Sequence, residues 1–297
     1  MNVLPHDKQA GIIAALTEGV SIRATERLTG IHRDTIMNLG VRVGNGCSKI
    51  NDNLMRDLRV SRIELDEVWS FVGKKRANLE ADDPPEFGDH YIFMAIDAIS
   101  KAILCYHVGK RDGENTRHFT ADLRKRVLGA PEISSDAFTP YPSAIEEAFG
   151  SDCQFGTIDK KYTSDRGAVE AWRRYSPARV IAVERKVVVG FPVTISTSYI
   201  ERQNLTLRMQ QRRFTRLTNA FSKKLENHIA AVSLYVAHYN FCRVHEAHRV
   251  TPAMQLGITD HVWSIGELVE AALHGTVTEP QGKRHGRFTV IDGGQSR

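Results

Sequence analysis

The chain has 297 residues, 41% of them hydrophobic and 25% charged, with a formal net charge of +5. That length can bury a sizeable core and suits one small and one ordinary-sized domain; the composition excludes a disordered or fibrous chain, and the modest positive balance favours a polyanionic partner. Cys47, Cys105, Cys153 and Cys242 form no C-x-x-C pair, which argues against a zinc ribbon or a disulfide framework and suits a reducing cytoplasm. Neither a secretion-type leader nor an apolar run of membrane length is present, so the expected setting is cytoplasmic, with no membrane partner.

In chain order, residues 7 to 42 read as three short helices. The first carries Ile12, Ile13 and Leu16 on one face and stops at Gly19. Ser21 caps a second that ends at Gly30, and His32-Arg33-Asp34-Thr35 opens a third. A short helix, a Gly-containing turn and a polar-fronted helix make the helix-turn-helix pattern, in which Arg33 and Thr35 could reach base edges. A small helical bundle with no DNA role fits the same pattern equally well. Residues 46 to 60, polar after Val-Gly-Asn-Gly-Cys, read as a linker from this helical domain of 1–45.

A catalytic domain is expected over 61–256. Arg62 to Gly73 alternates as a strand, with Ile63, Leu65, Trp69 and Phe71 on one face and Glu64, Asp66, Val68 and Ser70 on the other. A carboxylate such as Asp66 on so apolar a strand needs a cation or a donor. Strands follow at Tyr91–Ile99 and Ala102–Val108, then a helix from about Glu114 to Leu128, a short strand over 132–135 ending at Asp136, and a helix from Ser143 to Phe149. This β-β-β-α-β-α order is that of the ribonuclease-H-like fold, a mixed α/β sheet in which the first and fourth strands are neighbours. Asp66 and Asp136, 70 positions apart, would then meet at one sheet edge. Asp97 competes for the site but nears a turn and reads as structural.

Residues 151–198 read as an insert, with strands at Val180–Val183 and Lys186–Gly190, Trp172 as an anchor, and Asp159, Asp165 and Glu184 as surface acids. The next helix, capped by Ser198, sets Glu201, Asn204, Leu205 and Arg208 on one face. From Arg202 to Lys224 come seven cations (Arg202, Arg208, Arg212, Arg213, Arg216, Lys223, Lys224) and no acid, a run suited to a phosphate backbone. A further helix spans Lys223 to about Tyr239, and another Ile265 to Leu273 before a mobile basic tail in 257–297. His228, His238, His245 and His248 match no zinc spacing and read as core, cap or phosphate-side residues. Glu201 is the third acid that completes a set with Asp66 and Asp136. Three carboxylates can hold two Mg²⁺ ions about 4 Å apart for in-line phosphodiester displacement, with water or a DNA 3′-hydroxyl attacking.

Leu65-Asp66-Glu67-Val-Trp69-Ser-Phe-Val-Gly73, Asp136 after a short strand, and Glu201-Arg-x-Asn-Leu-x-Leu-Arg208 resemble the DDE transposases of the IS-one family of bacterial insertion sequences. Arg212, Arg213, Arg216, Phe221-Ser222 and His228 extend the likeness. It implies an Asp66–Asp136–Glu201 site holding Mg²⁺ (or Mn²⁺), two ions, that cleaves DNA strands and transfers 3′-hydroxyl ends. Arg202, Asn204 and Arg208 would contact DNA or orient the glutamate, and His228 would assist nearby. Partners would be double-stranded DNA, both terminal repeats and target, and further copies of the chain in a bacterial, nucleoid-associated setting. A non-catalytic helix-turn-helix regulator and a cellular ribonuclease-H-like nuclease are the alternatives.

Overall fold

The computed structural model describes residues 4–162, 180–215 and 218–275. Its helices are α1 (His6–Thr17), α2 (Ile22–Thr29), α3 (Arg33–Leu54), α4 (Gly113–Arg126), α5 (Tyr141–Phe149), α6 (Ser198–Gln210), α7 (Leu225–Ala237), the single turn α8 (Pro252–Gln255) and α9 (Ile265–His274). Its principal strands are β1 (Arg62–Val72), β2 (Gly88–Asp97), β3 (Ile103–Gly109), β4 (Glu132–Asp136), β5 (Gln154–Tyr162) and β6 (Val180–Val189), which form one mixed sheet in the order β3-β2-β1-β4-β5-β6.

The first two helices obey their local signals. Ser21 Oγ accepts from the Ala24 N–H, and Gly30 closes α2 at a φ of 71°. The third departs from expectation: the stretch assigned to a linker is helical through Leu54. Gly44 and Gly46 are not breakers but points of close approach. A Cβ on Gly44 would lie 2.2 Å from the Ala230 carbonyl oxygen on α7, and one on Gly46 2.0 Å from that of Ala272 on α9. Two neighbouring helices therefore lie directly on the α3 backbone, and their packing outweighs the low helix propensity of glycine.

Alternation in β1 divides the core. Val68, with Ile92 and Met94 of β2, packs against Ile200 and Leu207 of α6 and Val232 of α7. On the other face Ile63, Leu65 and Phe93 meet Phe119 and Leu123 of α4 and Ile145 of α5. That second cluster runs on to Ile12, Ile36, Val43 and Ile50, so the N-terminal helices share a core with the sheet. Within the expected insert, Gln154–Tyr162 forms β5, parallel to β4, and Val180–Val189 is one continuous strand antiparallel to it. Phe155 and Ile158 are the large apolar residues that β5 buries, too few to announce a strand by alternation. Trp172, Asp165, Arg216 and the tail beyond Gly275 lie outside the described residues.

Candidate active site

The ladder between β1 and β4 sets the site. Its partners are Arg62 with Glu132, Ile63 with Ile133 and Glu64 with Ser134, each pair 70 positions apart, which is also the spacing of Asp66 and Asp136. The pairing stops at Glu64, while β1 stays joined to β2 and β4 to β5 beyond that point. The two parallel strands part just before the acids, and a crevice opens beyond the end of their ladder, at the carboxyl end of β4. The resulting cleft, of about 700 Å³, is lined by Asp66, Glu67, Arg111, Asp136, Asp159, Lys160, Thr197, Glu201, Asn204 and Arg208 among others.

One oxygen from each of Asp66, Glu67 and Asp136 lies within 4.8 Å of the others. Asp66 Oδ1 accepts from the Glu67 N–H and Oδ2 from Asn204 Nδ2, both at 2.8 Å. Asp136 Oδ1 accepts from the Phe138 N–H at 3.0 Å, and Oδ2 faces Arg111 Nη2 at 3.4 Å. Arg111 also donates through Nε to Glu67 Oε2 at 3.0 Å and lies 3.8 Å over the Phe138 ring. Burial, then the charges of Glu67 and Asp136, push the Asp66 carboxyl up to about 7. Burial is also the main cause that raises Glu67 and Asp136. An all-oxygen donor set whose negative charge Arg111 offsets only in part fits a hard divalent cation.

Glu201 lines the same cleft, but its carboxylate lies outside the close group. Glu201 Oε1 accepts from Thr197 Oγ1 at 2.7 Å and from Lys160 Nζ. The structure therefore brings Asp66 and Asp136 together with Glu201 facing them, and adds Glu67, which sequence reasoning passed over. Strand alternation assigns Glu67 to the opposite face from Asp66; it joins the group in mid-strand, beyond the end of the β1–β4 ladder, where Arg111 pairs with it.

Asn204 is buried, and its amide holds Asp66 rather than facing out towards DNA. Arg33, Thr35, Arg202 and Arg212 are exposed. Arg208 lines the cleft. Arg213 instead donates to Ser222 Oγ and to the Asn227 carbonyl, both at 3.0 Å, and burial pushes its pKa down to about 10. His228 is buried between Ser70 Oγ (3.0 Å) and Ser222 Oγ (2.9 Å), and burial followed by the Arg213 charge pushes it down to about 3. Both ring nitrogens are thus occupied in the core, away from the acids. Asp97 Oδ2 accepts from the Ser100 N–H and hydroxyl, the structural role expected of it. Asp159 is exposed at the cleft wall, and Glu184 pairs with Lys161.

Protein InsB of the insertion element iso-IS1n from Shigella dysenteriae is 25% identical to this chain over 178 residues, which is 60% of this chain and 95% of InsB. The chain is thus similar to an insertion-element protein. No family model matches it. A piggyBac transposase synaptic complex with hairpin DNA superposes with a TM-score of 0.40 at 10% identity, covering 91% of this chain and 70% of that one, a likeness too loose to bear on fold or chemistry. No helix among the described residues is long and apolar enough to cross a membrane.

Proposed function

We propose that this chain is a DNA transposase of the insertion-sequence kind, with a ribonuclease-H-like core in which Asp66, Asp136 and Glu201 hold the divalent cations for strand cleavage and 3′-hydroxyl transfer. The observation that carries the reading is the β1–β4 register, which delivers Asp66 and Asp136 to one crevice that Glu201 faces from α6. The strand order and the similarity to an insertion-element protein support it. Bound Mg²⁺ or Mn²⁺ would supply activation of the attacking oxygen and charge neutralisation at the scissile phosphate. The chain's own residues orient the ligands: Asn204 fixes Asp66, Arg111 fixes Asp136, and Thr197 fixes Glu201.

Double-stranded DNA is the proposed substrate, terminal repeats and target alike, with several copies of the chain assembled on it. Arg202 on α6 and Arg212 just after it, both exposed, lie along the phosphate backbone. Arg33 and Thr35 on the first turn of α3 face base edges, in the manner of a helix-turn-helix. The test is metal-dependent cleavage and joining of end-bearing DNA by the full chain and by Asp66→Asn, Asp136→Asn and Glu201→Gln. Loss of cleavage in each, with DNA binding kept, is the expected result. Loss of binding in all three would make the acids structural. Cleavage without joining would favour a nuclease, and binding without any cleavage by the wild type a regulator.

A further inference from the structure

Glu64 lies two residues before Asp66 on the same face of β1 and is fully buried. A buried carboxylate is costly unless donors meet it. Its donors include, beside the Ser196 hydroxyl, two backbone groups of another element: Glu64 Oε2 accepts from the Tyr199 N–H at 2.7 Å and the Ile200 N–H at 3.1 Å. These amides belong to the first turn of α6, whose N–H groups have no partner within the helix. The residue that should serve them, Thr197 at the N-cap, makes no side-chain cap bond. Its hydroxyl donates to Glu201 Oε1 instead. A strand carboxylate therefore does the work of the missing cap, and its charge faces the positive end of the helix dipole.

The same strand face grips α6 a second time, through Asp66 and Asn204. Glu201 sits between the two grips, after Tyr199 and Ile200 and before Asn204. The two contacts hold α6 against β1 on either side of Glu201.

We propose that Glu64 is a positioning residue: by capping α6 from β1, it sets where Glu201 stands relative to Asp66 and Asp136, and so tunes the cleft's affinity for a divalent cation. The proposal rests on the reading of that cleft as a metal site. A cap that served stability alone would leave cation affinity in the folded protein unchanged and would not act through Glu201.

The experiment is Mn²⁺ titration of the full chain, followed by electron paramagnetic resonance, for wild type, Glu64→Gln, Glu64→Ala, Glu201→Gln and the Glu64→Ala/Glu201→Gln double variant. Glu64→Gln keeps an acceptor for the two amides and should stay within about threefold of wild type, whereas Glu64→Ala should lose about tenfold. In the Glu201→Gln background the Glu64→Ala change should cost nothing further. Amide exchange at Tyr199 and Ile200 should quicken in Glu64→Ala. Wild-type Mn²⁺ affinity in folded Glu64→Ala overturns the proposal, as does an equal loss in the Glu201→Gln background. Should Glu64→Ala not fold, Glu64→Asp, too short to span both amides, is read by the same criteria. A wild-type chain that binds no Mn²⁺ overturns the metal-site reading itself and the proposal with it.

Discussion

Asn204 Nδ2 donates to Asp66 Oδ2 at 2.8 Å, tying the middle of α6 to the middle of β1. The other carboxylate oxygen takes the Glu67 N–H, so both oxygens of Asp66 have donors and its orientation is fixed from two directions. Hydrogen bonds of this kind favour the charged form, yet burial and the neighbouring carboxylates outweigh them and the carboxyl rises to about 7. On the proposed reading, a divalent cation would supply the positive charge that Arg111, shared between Glu67 and Asp136, does not bring to Asp66.

Removing that hydrogen bond should weaken cation binding without emptying the site. Asn204→Ala frees Asp66 Oδ2 to turn, and the expected result is a loss of about tenfold in Mn²⁺ affinity, with a similar loss in metal-dependent cleavage. Asn204→Asp removes the same donor but adds a negative charge beside Asp66 that attracts the cation, so it should lose less affinity than Asn204→Ala. Titration of both variants with Mn²⁺ is the check, and unchanged affinity in Asn204→Ala would leave that contact structural only.

Cation binding should depend on pH through Asp66. The folded value of about 7 lies above the ordinary 3.8, so the native state keeps a proton that the unfolded chain releases. The stability this lends is full below the unfolded value and is lost as pH rises through about 7. A cation needs the ionised carboxylate, so Mn²⁺ affinity should climb with pH and level off above about 7. Asp66→Asn should raise the melting temperature of the metal-free protein above the wild-type value at alkaline pH, and the two should converge in acid. In that variant, adding Mn²⁺ or removing it with a chelator should no longer shift the melting temperature. Melting curves across pH, with and without the ion, decide the matter; an affinity flat over that range would contradict it.

How much of this was legible in the sequence follows from which physical signals are local. Ser21 and Gly30 announce the ends of α2 because capping is a property of a few adjacent residues. Asp66 and Asp136 are legible because strand alternation and element order together imply the register that the β1–β4 ladder adopts. Glu67 is not, since alternation sends it to the wrong face, and its tie to Arg111 depends on where the β3–α4 connection runs. Glu64 reads as one more strand residue until its partners on α6, 135 and 136 positions away, are known. The continuation of α3 is hidden for a related reason. Gly44 and Gly46 look like breakers locally, and the helices that press on them come from residues near 230 and 272.

Arg111 carries a separable prediction. It is the ion-pair partner of Glu67, whose side chain is 2% exposed. Arg111→Ala leaves that charge buried without its cation, with the Tyr141 hydroxyl as remaining donor, which should cost about 3 kcal/mol of stability. Glu67→Gln in the same chain should recover most of the loss by removing the charge, while Asp136 remains poorly held and cation affinity stays low. Urea denaturation and Mn²⁺ titration of the single and double variants separate the two effects. Equal stability in the two Arg111 variants would show that Glu67 needs no cation.

The close contacts of α3 predict that the N-terminal helices do not stand alone. In an exposed helix, Gly→Ala gains up to about 1 kcal/mol from propensity. At Gly44 or Gly46 the added methyl would meet backbone oxygens at 2.2 and 2.0 Å, so neighbouring helices must move apart, and Gly44→Ala should lose about 3 kcal/mol instead. For the same reason a fragment of residues 1–60 exposes Val43, Cys47 and Ile50, which the whole chain buries, and should be unfolded or aggregated by circular dichroism and light scattering. A well-folded, monomeric fragment would mean that the contacts with α7 and α9 are dispensable. It would also revive the reading of this segment as a regulator that works without the acidic cleft. A fragment that folds only when the rest of the chain is supplied in trans would instead assign the helices to the same cooperative unit as the site.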